Sequence, residues 1–329
     1  MKQIFFSFRL IKLSIITLLL LPLITGCAKE KIKPRWKTIK IEKDLESLNS
    51  SIVSKVYITD ENDFFAIVGS GYHEYYTSIY QSTDQGETWK NIMTDGGAFG
   101  FLYSSFYYDG TNLYVAGSGT IGSRLFMYDG SEITQYESPS DVFLSENTSL
   151  QFLTESTGYI AGKGFAKTTD GGITWSEQFI EEQMQGLYFS DVENGMLLSS
   201  NTLLSTLNGG NDWDTLFSGD SFNTLYMLND LEGVIGGSKI WLTEDGGATW
   251  NEVYDSPVID VCLNEEGYIY AVLENHEIRR SINKGSDWSK TSTKKSGFMS
   301  VASNRDYTIA GIKDTFDKKG KHVIMLLKN

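Results

Sequence analysis

Apolar and polar residues alternate in short runs along most of this chain, and the runs are bounded by Gly, Asp, Asn or Ser. A period of two sends successive side chains to opposite faces, so the pattern predicts β-strands joined by tight turns. Residues 35–41 (R-W-K-T-I-K-I) alternate in this way and are echoed by residues 88–92 (T-W-K-N-I). From there the runs fall into groups of four, strands A to D. Strand B ends in a small-residue phrase, A-I-V-G at 66–69, Y-V-A-G at 114–117, Y-I-A-G at 159–162, V-I-G at 234–236 and T-I-A-G at 308–311. Glycine inside a strand marks a place where strands crowd together.

The turn between strands C and D carries a stronger repeat. It reads S-T-D-Q-G-E-T-W at 82–89, T-T-D-G-G-I-T-W at 168–175, T-L-N-G-G-N-D-W at 206–213, T-E-D-G-G-A-T-W at 243–250 and S-I-N-K-G-S-D-W at 281–288. Asp84, Asp170, Asn208, Asp245 and Asn283 are placed to accept hydrogen bonds from backbone N–H groups of their own turn. Gly86, Gly172, Gly210, Gly247 and Gly285 supply the positive φ that a tight hairpin needs. Trp89, Trp175, Trp213, Trp250 and Trp288 then open the next strand, with the ring packed between sheets. Burying such a ring removes about 150–250 Å² from water, an upper bound of about 4–6 kcal/mol. One carboxylate per turn is far too few for calcium, which takes about 6–8 oxygens.

Trp175, Trp213, Trp250 and Trp288 are spaced by 38, 37 and 38 residues, whereas Trp89 and Trp175 are 86 apart, room for two units. The intervening unit is visible as runs at 101–108, 113–117, 124–128 and 132–137, with Tyr128, Asp129 and Gly130 where the full turn would stand. Strand A begins near Ile52, Phe101, Leu150, Leu187, Thr224, Val258 and Met299, which makes seven units. The last has three runs, at 299–303, 307–312 and 322–328, and residues 36–41 are the unpaired piece that completes it. Ring closure removes the open edge at each end of the strand series.

The repeated turn resembles the Asp-box (BNR) hairpin of sialidase-type β-propellers. Together with the Y-[IV]-A-G phrases, it makes nearly all of residues 35–329 similar to the single-ring propellers related to photosystem II assembly factors. The expected fold is therefore all-β, a seven-bladed β-propeller of four-stranded antiparallel blades, with the last blade closed by the N-terminal strand. The second resemblance implies a scaffold that binds proteins and is not an enzyme. The first implies, as the alternative, a glycan-binding protein or a glycoside hydrolase. The sialidase machinery is poorly matched: residues 27–329 hold only Arg35, Arg124, Arg279, Arg280 and Arg305 for an arginine triad, and Lys33-Pro34-Arg35-Trp36 replaces the F-R-I-P opening. Arg305 also falls in an A–B turn. Glu181–Glu182 and Glu265–Glu266 are sequence neighbours that point to different sides of an extended chain.

Charge narrows the partners. Formal net charge is −14, and after the first 26 residues 25 basic side chains face 42 acidic ones. Such a surface does not attract a phosphate backbone or anionic headgroups, so nucleic acid is excluded and membrane attachment must be covalent. Lys2, Arg9 and Lys12 precede an apolar run at 13–24, which reads as a signal peptide over residues 1–26. Ile24-Thr25-Gly26-Cys27 resembles the lipobox of bacterial lipoproteins and implies lipidation of Cys27, with residues 27–34 as tether. The expected location is the cell envelope, periplasmic or surface-exposed. Cys262, in an apolar run, is read as a buried structural thiol.

In an up-and-down meander the A–B and C–D turns lie at one end and the B–C connections at the other. Blade 1 has 20 residues from the end of strand B to its Trp, against 13 in blade 3. The excess holds Tyr72, His73, Glu74, Tyr75 and Tyr76, the candidate binding loop, with further insertions on the same edge at 137–147, between blades 2 and 3, and at 313–321 in blade 7. Aromatics on a loop of a rigid scaffold suit a protein partner or a sugar, or cap the ring. His73, His276 and His322 lack ligand spacing, so no metal and no cofactor is expected. The protein is expected to be a monomer with one envelope protein partner and a glycan as the second possibility.

Overall fold

The computed structural model describes residues 35–42, 51–70, 75–97, 101–119, 122–136, 138–139, 148–219, 221–291, 297–314 and 321–329. Cys27, Tyr72, His73 and Glu74 lie outside these residues, as do the signal and tether segments. The described residues contain 28 strands and no helix.

Seven four-stranded antiparallel units account for all 28 strands. Five are separate sheets, and the other two are joined as one eight-stranded sheet. In strand order A to D, blade 1 is Ser51–Ile58, Phe64–Ser70, Tyr75–Ser82 and Lys90–Gly97. Blade 2 is Phe101–Tyr108, Leu113–Gly119, Gly122–Tyr128 and Ile133–Tyr136. Blade 3 is Ser149–Phe152, Gly158–Ala161, Phe165–Thr168 and Ser176–Gln178; blade 4 is Met184–Phe189, Gly195–Ser199, Thr202–Thr206 and Asp214–Ser218. Blade 5 is Phe222–Met227, Gly233–Gly237, Ile240–Thr243 and Asn251–Tyr254; blade 6 is Val258–Leu263, Ile269–Leu273, Ile278–Ser281 and Ser289–Lys290. Blade 7 takes Phe298–Ser303, Tyr307–Asp314 and Lys321–Lys328 from the end of the strand series and Lys37–Glu42 from its beginning. That first strand pairs antiparallel with Lys321–Lys328 in register Lys37↔Leu326 to Glu42↔Lys321, so the expected closure is found.

The inner strands of successive blades are neighbours around the whole circle, blade 7 against blade 1 included, and the fold is an all-β propeller. In most blades strand A carries a β-bulge against strand B, as between Val53 and Lys55 or Val258 and Asp260. Polar side chains near the bulge bond to the next blade: Val301 N–H donates to Asp260 Oδ2 at 2.9 Å and Val56 N–H to Ser300 Oγ at 3.4 Å. A bulge thus turns a side chain of the innermost strand towards backbone that a continuous ladder would already have used.

Seven apolar clusters fill the spaces between blades, each drawing on two neighbours. Aromatics of one blade stack on those of the next, Tyr159 on Phe189 at 3.7 Å between centroids and Tyr114 on Phe152 at 4.1 Å. The closing blades add a buried polar lock. Asn264, fully buried, donates to Ser303 Oγ and Asn304 O, while Asn304 donates to Thr59 O and Asn62 Oδ1 in blade 1. Asn329 donates to the same Ser303 and Asn304 oxygens and accepts from Tyr270 and Thr308. A satisfied buried network fixes one register, because slipping it would strand several polar groups away from water.

Candidate functional site

The five repeated turns share one hydrogen-bond scheme. In blade 1, Ser82 Oγ accepts the Gly86 N–H at 2.7 Å and donates to Asp84 Oδ1 at 2.8 Å. Asp84 Oδ1 also accepts the Thr88 N–H at 2.8 Å, and its Oδ2 accepts the Thr88 hydroxyl at 2.6 Å. Asp170 with Thr174 and Asp245 with Thr249 repeat the arrangement. Where the third residue is Asn208 or Asn283, the partner four positions on is Asp212 or Asp287, and the amide donates to its Oδ2 at 3.0 Å in each case.

Gly86, Gly172, Gly210, Gly247 and Gly285 have φ between 85° and 90°. The residue before each is left-handed as well, and in two turns it is Gln85 (φ 60°) or Lys284 (φ 52°), a requirement not foreseen from the sequence. The turn glycine also backs onto the preceding blade: a methyl at Gly210 would come within 2.3 Å of Phe165 Cε1. Trp213 lies edge-on to Phe165 and Phe189 at 5.2 and 6.2 Å, and its Nε1 donates to Gln178. Blade 2 keeps a shorter turn, in which Asp129 Oδ1 accepts the N–H groups of Ser131 and Glu132. These carboxylates are taken up by their own turns. Hydrogen bonds from Thr174 hold Asp170 down to about 2, and equivalent bonds lower Asp84 and Asp245. Among the described residues no group of three or more His, Cys, Asp or Glu side chains could hold a metal ion.

The B–C end is uneven. Strands B and C have 7 and 8 residues in blade 1, 7 and 7 in blade 2 and 8 and 8 in blade 7, against 4 or 5 in blades 3 to 6. In blades 1 and 2 the whole length of strand B pairs with C, and three more residues per strand at about 3.3 Å each carry those hairpins about 10 Å further out. In blade 7 residues 307–311 pair with 324–328, and the rest of strand C pairs with the closing strand Lys37–Glu42. Tyr75 and Tyr76 belong to strand C of blade 1, where Tyr76 pairs with Ser70 and Tyr75 with Gly97. The sequence excess is therefore partly a lengthened hairpin, and only residues 71–74 connect its strands. Blades 7 and 1 also fuse here through Ser51↔Asp314 and Ile52↔Lys313. His276 sits in the B–C turn of blade 6, with its Nδ1 2.9 Å from Phe298 O, and His322 is the second residue of strand C of blade 7.

At the opposite end, where the A–B and repeat turns lie, the central channel opens into a cavity of about 620 Å³. Tyr57, Tyr107, Tyr188 and Tyr226 line it from the inner strands of blades 1, 2, 4 and 5, and Asp60, Glu232 and Glu265 stand in the turns around it. Burial raises all four phenols: Tyr107 to about 12, with Asp109 adding to the effect, and Tyr188 further through its 2.6 Å hydrogen bond to Asp230 Oδ1. Tyr57 is raised by burial and then by Tyr107 and Asp60; Tyr226 by burial and then by Cys262, Tyr57, Glu265 and Asp60. Glu232 is lowered by its hydrogen bond from Lys284, which also bonds Glu244. Among the described residues none that lines it is cationic. Nothing in the sequence singled out this cavity, because its lining is drawn from all seven blades and comes together only in the closed ring. Cys262 is buried with its thiol raised well above the usual range by desolvation, and Arg305 pairs with Glu266 at 3.3 Å in the A–B turns.

No protein-family model and no curated protein sequence matches the chain. Solved structures do. YCF48 bound to D1 peptide is similar at TM-score 0.63 and 15% identity, over 89% of this chain and 96% of that one. The WD40 β-propeller domain of Doa1 matches at TM-score 0.59 and 13% identity, over 88% and 95%. The GH74 enzyme of Niastella koreensis matches at TM-score 0.64 and 12% identity, over 83% of this chain and 52% of its own. At such identities the likeness is one of fold, a β-propeller.

Proposed function

We propose that this protein is a non-catalytic propeller of the cell envelope, lipid-anchored through Cys27, that binds a protein partner through the B–C edge of blades 7, 1 and 2. The observation that carries this reading is the length of strands B and C there, 7 to 8 residues each where the other four blades make do with 4 or 5. The short hairpins close equally complete blades, so the added B–C rungs of blades 1 and 2 are not needed for the fold, and the strands of blade 7 that fuse to blade 1 continue the same edge. Tyr75 and Tyr76 lie in strand C of blade 1, the middle of these three blades, and Tyr72, His73 and Glu74, outside the described residues, stand just before it in sequence. Aromatic side chains are the usual anchors of a protein interface.

Two further points support binding over hydrolysis. Among the described residues, the cavity at the other end has no arginine or lysine in its lining with which to grip a sugar carboxylate. Of its carboxylates, Glu232 is held ionised by Lys284, the opposite of what a general acid requires. The propeller YCF48, alike in fold and nearly equal in extent, has been caught with a D1 peptide, which shows that a ring of this size can present a peptide site. Asp-box turns, in this reading, hold the blades rigid behind the binding edge.

Crosslinking of the membrane-anchored protein in its own envelope, followed by pull-down, tests the reading. A stoichiometric protein partner crosslinked from the hairpins of blades 7, 1 and 2 is the expected result. Recovery of glycan alone, or turnover of a glycoside by the purified protein, would overturn it.

A further inference from the structure

The cavity at the repeat-turn end stands apart from the proposed binding edge, and its chemistry is uniform. Asp60 and Glu265 have no hydrogen-bond or ion-pair partner among the described residues, whereas the nearby cations are engaged: Lys284 on Glu232 and Glu244, Arg305 on Glu266, and Lys55 on Asp260 at 3.6 Å. Beside the two free carboxylates, the hydroxyls of Tyr57 and Tyr226 line the cavity without a hydrogen-bond partner among the described residues. All four residues line the same cavity, Tyr57 and Asp60 from blade 1, Tyr226 from blade 5 and Glu265 from the A–B turn of blade 6.

The rim differs from the centre. Leu231, between the lining residues Asn229 and Glu232, is 59% exposed, and Val192 in the equivalent turn of blade 4 is 47% exposed. Large aliphatics on turns cost solvation unless something covers them. A negative, phenol-lined cavity with an exposed leucine on a turn at its edge is complementary to a basic side chain flanked by apolar residues. Phenol rings favour cations over their faces, and two carboxylates at the edge of a partly desolvated cavity attract a cation more strongly than they would in open water. A neutral sugar satisfies the carboxylates only by hydroxyl hydrogen bonds and leaves their charge unbalanced, and an acidic sugar or a phosphate is repelled.

We propose that the cavity, at Tyr57, Asp60, Tyr226 and Glu265, receives an arginine or lysine side chain from a partner protein segment whose neighbouring residues are apolar. This is a second site, on the face opposite the B–C edge, and it does not depend on what that edge binds. The guanidinium or ammonium group enters the mouth of the channel, drawn by Asp60 and Glu265, while a flanking residue lies on Leu231.

The test is calorimetric titration of the full-length protein, in detergent, with an acetylated and amidated Leu-Arg-Leu tripeptide, its lysine counterpart and its citrulline counterpart, which keeps shape and loses charge. The wild type is expected to bind the arginine or lysine peptide at least about tenfold more tightly than the citrulline peptide. The double variant Asp60→Asn with Glu265→Gln, both at exposed turn positions, is expected to lose that preference with unchanged melting. Tyr226→Phe, which keeps the ring, is expected to retain it. Equal affinity for the three peptides, no binding of any, or a preference untouched in the double variant would overturn the assignment. The envelope crosslinks from the B–C hairpins are expected to persist in the double variant, so the two sites succeed or fail separately.

Discussion

Asn208 donates its side-chain amide to Asp212 Oδ2 at 3.0 Å, in the place where Asp170 accepts the hydroxyl of Thr174 at 2.6 Å. The two turns have the same backbone and opposite polarity at one bond: an acidic third residue requires a donor four positions on, and an amide admits an acceptor. Thr174→Asp alone puts two carboxylates in that contact and is expected to lower the melting temperature by about 2 °C or more. Adding Asp170→Asn recreates the blade 4 pairing and is expected to restore it. Thermal unfolding of the single and double variants checks the coupling, and additive effects would contradict it.

The same bonds set an acid limit. Asp84, Asp170 and Asp245 are lowered in the folded state, Asp170 to about 2, from an unfolded value near 3.9. A lowered folded value gives stability that is complete above the unfolded value and is lost as pH falls through the folded one. Melting temperature is therefore expected to hold down to about pH 4 and to fall steeply towards about pH 2. Asp170→Asn removes one of the titrating groups and is expected to make the fall shallower; an identical slope would contradict the assignment.

Trp213 bridges blades 3 and 4, edge-on to Phe165 and Phe189. Trp213→Ala is expected to destabilise by about 3–5 kcal/mol, read from denaturant unfolding. Partner affinity of the fraction that remains folded is expected to be unchanged, because the repeat turns lie at the end away from the B–C hairpins. A changed affinity at full folding would move the binding surface to the repeat-turn end.

Cys27→Ser is expected to give a folded protein that no longer sediments with membranes, since an acidic ring has nothing else to hold it there. Fractionation of the variant decides this, and persistent membrane association would contradict lipidation at Cys27.

Much of the fold was legible because the turns impose chemistry that cannot be disguised. Asp170, Gly172 and Trp175 serve three different physical needs at fixed spacing, so five copies mark five blades, and in blade 2 Asp129 and Gly130 still do two of those jobs. The closing strand at Lys37–Glu42 was legible because an unpaired strand at each end needs a partner. The left-handed Gln85 and Lys284 were not, as nothing in those side chains signals positive φ. The cavity was hidden for a geometric reason: Tyr57, Tyr107, Tyr188 and Tyr226 converge only when the ring closes, and the corresponding inner-strand residue in blade 3 is Gln151. Tyr75 and Tyr76 were read as loop because a hairpin that grows by extending both strands looks, in one dimension, like an insertion between them.

The central claim rests on the blade 1 hairpin, and replacing residues 70–76 by a two-residue link tests it most directly. Gly69 and Thr77 already pair, so the shortened hairpin closes on an existing rung. The measurement is capture of the crosslinked envelope partner by the shortened protein beside the wild type, with thermal unfolding of both. The account predicts unchanged melting and capture weakened by about 2 kcal/mol or more, roughly thirtyfold. Unchanged capture with unchanged melting would contradict it, and a large fall in melting temperature with intact capture would make the hairpin a cap on the ring.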